Sequence, residues 1–255
     1  MKADRQRPGP GEEPVDAVFF DLGGTLFSYG GRHGGAIRRV VETHGIDAPP
    51  ETIGRAWRAA ADRAGHYYGS QPYFLHRDLF RDTLRHFLEH FDHALEEDVF
   101  AAFHRAQLEG LIAHMPLRED VRDTLVGLRE RGIYVGLVSN IDDDYLYPLL
   151  EHHDLLPLFD HCTSSEEARS CKPHPEIFEY ALRKAERTAR STLFVGDSLH
   201  HDVAGAHRVG MRSARIVEPG VETPLTHGLE VLAEATFEIH DLASLLPIVD
   251  GRDAH

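Results

Sequence analysis

Three short apolar runs in this chain each end in polar residues able to do chemistry. Asp21 follows Val-Phe-Phe, Ser139-Asn140 follows Tyr-Val-Gly-Leu-Val, and Gly196-Asp197 follows Ser-Thr-Leu-Phe-Val. Asp202 stands shortly after Asp197, a spacing that lets one carboxylate on a loop and another in the first turn of the next helix face one cation. With Asp21 they would form an oxygen-rich anionic site of the sort Mg²⁺ takes. Between Ser139 and Asp197 lies Cys171-Lys172-Pro173-His174-Pro175. Lysine occurs only at positions 2, 172 and 184 among 27 basic residues, so Lys172 is not a by-product of composition.

Elements that would bring these residues together are legible in the pattern. Val15 to Phe20 is short, apolar and followed by Gly23-Gly24, as expected of a buried parallel strand. After a Gly-rich loop, Leu22 to Gly35, helical periodicity runs through about 36–44, 51–68, 75–91 and 95–111. Four helical patterns with no strand between them predict a helical insert. From Leu117 the order is helix (about 118–131), strand (133–138), helix (about 142–153), helix (about 175–187), strand (191–195), helix (about 200–209) and strand (212–217). That alternation predicts an α/β fold with an open parallel sheet covered on both faces, whose ligand sits at the carboxyl ends of the strands. Asp21, Ser139 and Asp197 would then share one edge. Residues 1–14, rich in Pro, Gly and charge, read as a mobile tail.

The 255 residues exclude a stapled mini-protein, and 42% hydrophobic with 27% charged residues is ordinary globular usage. The balance of 42 acidic against 27 basic residues gives a formal charge of −15, softened somewhat by 19 histidines. An acidic surface disfavours nucleic acid and anionic membrane, so neither is expected as a partner. Cys162 and Cys171 lie in what reads as a polar loop without zinc-finger spacing, and no apolar stretch has the length of a membrane span. A cytoplasmic protein is the expectation, with monomer and dimer both open.

The order and spacing of these residues resemble the four motifs of the haloacid dehalogenase superfamily. DLGGTL at 21–26 looks like its first motif, Ser139 in LVSN its second, and Lys172 in CKPHPEIF its third. GDSLHHD at 196–202 with GAHRVGM at 205–211 resembles the fourth. The resemblance covers about 21–217. It implies a Rossmann-like core at 15–34 and 112–255 with a helical cap at 35–111. It also implies a Mg²⁺-dependent hydrolase, with Asp21 forming an aspartyl-phosphate on a small phosphorylated substrate. Ser139 and Lys172 would assist catalysis, Thr25 and Asn140 would bind substrate, and the Gly23 carbonyl would join Asp21, Asp197 and Asp202 around the metal. Thr25 would also orient the Asp21 carboxylate. Elementary chemistry agrees in part: a carboxylate attacks an anionic phosphoryl group poorly unless a metal and an ammonium neutralise the charge.

Phosphatases of this family usually carry a second Asp where this chain has Gly23. Loss of such a general acid–base group typically costs about 10² to 10⁴ in rate. Four readings stay open. A cap residue (His66, Tyr67, Tyr68 or His76) supplies the proton; the leaving group needs little protonation, as in an acyl phosphate or phosphoanhydride; the protein is a dehalogenase or phosphonatase; or it is a catalytically silent ligand-binding or regulatory relative. The third is disfavoured, because dehalogenases do not keep the acidic GDxxxxD pattern and phosphonatases use a cap lysine, of which 36–111 has none.

Several residues have plainer explanations. Thr25 and Asn140 could close their own turns. Asp142-Asp143-Asp144 reads as an N-terminal helix cap. Gly205 and Gly210 read as close packing and a helix C-terminus. His86, His90 and His93 read as a solvated helix face, and Arg55, Arg58, Arg63, Arg77 and Arg81 as solvent-facing unless one or two grip a substrate anion.

Overall fold

A computed structural model describes residues 13–28, 35–218 and 233–251. Strand β1 (Ala17–Phe20) has every side chain buried. Its residues alternate between two cores: Val18 and Phe20 enter one, Ala17 and Phe19 the other. Only a strand covered on both faces needs such an unbroken apolar run.

On either side β1 pairs in parallel with β2 (Tyr134–Ser139) and β4 (Thr192–Gly196). The sheet continues outward through β3 (His161–Ser164) on one side and β5 (Arg212–Ile216) and β6 (Phe237–Ile239) on the other. The order is β3-β2-β1-β4-β5-β6, with every pairing parallel. One face buries α5 (Val121–Glu130), α6 (Asp143–His152) and α10 (Leu245–Val249) through residues such as Leu125, Leu149 and Leu245. The opposite face buries α8 (Pro175–Ala185) and α9 (Ala204–Arg208) through Ile177, Phe178 and Ala206. At Gly205 an added Cβ would lie 2.6 Å from the Phe178 ring, so glycine there lets α9 approach α8.

Between β1 and α5 the chain inserts α1 (Gly35–Thr43), α2 (Pro50–Gly69), α3 (His76–Glu89) and α4 (Glu97–His114). They enclose a third core, separate from the other two, around Val40, Leu84, Phe87, Phe100 and Phe103. Ala56, Ala60 and Ala64 recur at helical spacing on the buried stripe of α2, where small side chains allow close packing. Helix α4 runs on to His114, past the expected boundary at 111.

The predicted strands and helices therefore recur within a few residues of their expected bounds. Two corrections concern the stretch after α6 and the C-terminal part. The supposed polar loop around the cysteines contains β3 and a short helix, α7 (Ser165–Ala168), whose N-cap Ser164 accepts a hydrogen bond from Glu167 N at 2.9 Å. Strand β6 and helix α10 were not expected at all. The two missed strands are the sheet edges, paired on one side only, and their sequences His-Cys-Thr-Ser and Phe-Glu-Ile lack the long apolar run that marks a central strand. The helix expected near 200–209 begins as a π-helical turn, 199–203, before α9. Most of the expected tail, residues 1–12, lies outside the described residues. Among those described, no helix is long and apolar enough to cross a membrane.

Candidate active site

Because β2, β1 and β4 are neighbours in parallel, their carboxyl ends deliver Ser139, Asp21 and Asp197 to one edge. Asp21 N donates to Val195 O at 2.9 Å, which fixes the first residue beyond β1 against the end of β4. The Asp21 carboxylate is buried and receives two side-chain donors on the same atom: Ser139 Oγ at 3.1 Å and Lys172 Nζ at 2.5 Å from Oδ1. Lys172 reaches it from the loop before α8 and also donates to Asp202 Oδ1 at 2.7 Å. Three separate stretches of chain thus meet around one ammonium, and Ser139 joins them through Asp21.

Asp202 is placed by the π-helical turn. Its Oδ2 accepts Ser198 N at 2.9 Å. Its side chain also fills the space over Gly196, where an added Cβ would lie 2.3 Å from Asp202 Cγ. The glycine of the fourth motif is thereby explained by close approach rather than by turn geometry. One carboxylate oxygen each from Asp21, Asp197 and Asp202 lies within 4.8 Å of the others, and all three side chains are buried. Three buried carboxylates against one ammonium leave an excess of negative charge on hard oxygen donors. That donor set fits Mg²⁺.

Electrostatics within the cluster follow from burial and proximity. Burial raises the Asp21 carboxyl above the ordinary carboxylate range, Lys172 opposes the rise and the Asp202 charge adds to it. For Lys172, burial alone would favour the neutral amine, but Asp202 and Asp21 outweigh it and hold the side chain protonated. His201, beside Asp202, is pushed down to about 4, chiefly by burial and then by the Lys172 charge, so its ring is neutral at pH 7.

The remaining expected residues are placed differently. Both ends of the Asn140 side-chain amide engage the main chain of Lys172: Nδ2 donates to Lys172 O at 2.9 Å, and Lys172 N donates to Oδ1 at 2.7 Å. Asn140 therefore orients Lys172 instead of closing its own turn. Thr25 is fully buried in the turn after β1, its Oγ1 without a hydrogen-bond partner among the described residues. Gly23 is partly exposed, in a turn bridged to Phe27.

Among the cap residues considered for proton transfer, His66 and Tyr67 are exposed. Tyr68 donates to Asp82 at 2.9 Å, and His76 Nδ1 lies 3.5 Å from Asp142 Oδ1. Arg77 and Arg81 are not idle solvent-facing charges. Arg77 pairs with Asp144 and Glu166, and Arg81 makes a two-bond pair with Glu97 at 2.7 and 2.8 Å.

The expected Asp142 cap on its own helix is corrected as well, because its side chain makes no capping bond to α6. Instead its carboxylate accepts the N–H groups of His76 and Arg77 from α3, each at 2.8 Å. Sequence reasoning missed this bridge between insert and sheet. The only local signal was three consecutive acids directly after the residues at the end of β2.

Comparison with known proteins agrees with this geometry. Residues 15–210 match the family model for haloacid dehalogenase-like hydrolases. A phosphoglycolate phosphatase from Pseudomonas putida is 30% identical over 233 residues, 90% of this chain and 78% of that protein. A ribulose-1,5-bisphosphate 5-phosphatase from Halopiger xanaduensis is 26% identical over 239 residues, 92% of this chain and 98% of that protein. Among solved structures, the HAD-hydrolase YfnB from Bacillus subtilis bound to magnesium superposes with a TM-score of 0.69 at 19% identity, covering 93% of this chain and 99% of that one.

Proposed function

Because the chain belongs to the haloacid dehalogenase-like hydrolases, we propose that it is a Mg²⁺-dependent phosphatase of a small phosphorylated metabolite, with Asp21 as the nucleophile. The observation that carries this reading is the convergence of Ser139 and Lys172 on Asp21 Oδ1, beside two further buried carboxylates. The phosphatase relatives, whose names give small phosphorylated metabolites as substrates, support the same class. The four-helix insert supports a cap at 35–111 over a core of 15–34 and 112–255.

Asp21, Asp197 and Asp202, with the Gly23 carbonyl, would hold the metal. When bound, Mg²⁺ supplies charge neutralisation on the phosphoryl oxygens. Lys172 provides a second, fixed positive charge there, and Asn140 holds its main chain in place. Ser139 Oγ, hydrogen-bonded to the nucleophile, is placed to take a phosphoryl oxygen as charge develops. A carboxylate oxygen of Asp21 forms a bond to phosphorus while the bond to the leaving oxygen breaks, giving an aspartyl-phosphate on this residue. Water then attacks phosphorus and releases inorganic phosphate and the Asp21 carboxylate.

Gly23 provides no side chain to protonate the leaving oxygen. Tyr68 is engaged with Asp82, and His76 lies against Asp142. Substrates whose leaving oxygen needs little protonation, such as acyl phosphates and phosphoanhydrides, suit this arrangement. The rival reading, a silent scaffold, rests on the same glycine.

Phosphate release from acyl phosphates, nucleotides and simple alkyl phosphates, with and without Mg²⁺, separates the two. Release from acyl phosphates that requires both Mg²⁺ and Asp21 supports the proposal; no release from any member of the panel overturns it. Gly23→Asp should raise turnover of alkyl phosphates by about 10² or more, the usual worth of a general acid. No gain would mean that another group already does this work.

A further inference from the structure

Asp142 has no solvent exposure and stands in the loop that begins at Ser139 and Asn140. Its two oxygens accept the N–H groups of His76 and Arg77, the first residues of α3. Helix α3 has no cap of its own, since Leu75 occupies the N-cap position. A fourteen-residue helix of the insert thus takes its N-cap from the sheet domain, through a buried anion. Hydrogen bonds to an ionised acceptor are stronger than neutral ones, and breaking these would leave a buried carboxylate unpaired.

The neighbouring contacts repeat the same connection. Arg77 reaches Asp144 and Glu166, and Glu166 in turn accepts Asp143 N at 3.0 Å. On the other flank, Cys171 N, next to Lys172, donates to Pro72 O at 2.9 Å. The loop from Ser70 to Leu75 is therefore held in its middle by the Lys172 segment and at its end by the Ser139 segment.

We propose that Asp142 is a positioning residue: by capping α3 from the sheet domain it holds loop 70–75 as the wall that a substrate's leaving group meets. The proposal rests on the phosphatase reading above. It requires that loss of Asp142 harm substrates with large leaving groups far more than small ones, because only the former reach the wall. A purely structural role would lower both alike.

The test compares kcat/KM for p-nitrophenyl phosphate and acetyl phosphate in the natural protein, Asp142→Ala, and the double variant Asp142→Ala with Leu75→Ser, with thermal melts of each. The double variant gives α3 a local cap without restoring the link to the sheet domain. The ratio of p-nitrophenyl to acetyl phosphate activity should fall about tenfold in Asp142→Ala, the worth of one strong capping interaction. In the double variant thermal stability should recover while the ratio stays low.

An unchanged ratio in Asp142→Ala, or a ratio restored by Leu75→Ser, overturns the proposal. Should the single variant prove too unstable to assay, the double variant decides on the same ratio. Hydrolysis by the natural protein of neither substrate, nor of any member of the panel above, would overturn the phosphatase reading itself, whereas failure of the Asp142 proposal alone leaves natural-protein turnover intact.

Discussion

Lys172 has two tasks that are hard to separate: it compensates two buried carboxylates and presents a positive charge beside Asp21, the proposed nucleophile. Removing it leaves Asp21 and Asp202 buried without their counter-charge, and breaking such a pair from one side typically costs about 3–5 kcal/mol. Lys172→Met should therefore lower the urea midpoint strongly as well as abolish turnover. Turnover lost with an unchanged midpoint would mean that the ion pairs contribute nothing to the fold. Gly196 makes a different kind of contribution, since it is the empty space that Asp202 occupies. Gly196→Ala should displace Asp202 and weaken Mg²⁺ binding, read by isothermal titration, by about tenfold or more, as overpacking costs of about 1–3 kcal/mol imply. Unchanged Mg²⁺ affinity would remove Asp202 from the proposed metal site.

At the scale of elements, β3 shows how a polar edge strand is kept in place. His161 is buried, its ring edge-on to Phe19 at 5.0 Å, over Gly136, where a side chain would collide with it. Burial, helped by the Lys184 charge, pushes its pKa down to about 4 from an ordinary 6.5. The unfolded chain therefore binds this proton more readily than the folded one. Stability from His161 is fully present above pH 6.5, declines as pH falls from 6.5 to about 4, and is lost below. The shift amounts to roughly 3 kcal/mol. Denaturant titrations at pH 7 and pH 4 should show a smaller acid loss in His161→Leu than in the natural protein. Equal losses would show that the ring is not held neutral.

This same strand marks what the sequence did not disclose. The three central strands were legible because burial on both faces demands apolar runs, and their polar last residues pointed to one shared edge. The edge strands β3 and β6 were not, because His-Cys-Thr-Ser is buried by pairing with β2 and by its neighbours, His161 on Phe19 and Cys162 in the core around Leu149, rather than by its own hydrophobicity.

Taken as a whole, the insert and the sheet bury separate apolar clusters and meet through apolar contacts, Leu111 and Ile112 against the sheet's core and Phe80 against Tyr145, as well as through ionic ones. At this junction Arg77 of the insert pairs with Asp144 and Glu166, and the rings of His76 and His104 lie against Asp142 and Asp144. Asp142 is held below the ordinary carboxylate range, since the His76 ring and the N–H groups of α3 outweigh the upward push of burial. Its contribution is therefore present above the ordinary value of 3.8 and lost as pH falls through the lower folded value. Periodicity disclosed the helices of the insert and the central strands, because each buries an apolar stripe. The junction between them stayed hidden, because charged residues that pair across a fold look in sequence like a solvated face.

Attack by Asp21, as proposed above, leaves a phosphoryl group on that side chain. An acid-quenched reaction with acetyl phosphate and Mg²⁺, digested and analysed by mass spectrometry, tests it directly. The expected result is a phosphoryl group on the peptide containing Asp21, dependent on Mg²⁺ and absent from Asp21→Asn. Undiminished phosphate release by Asp21→Asn, or the phosphoryl group on another residue, would contradict it.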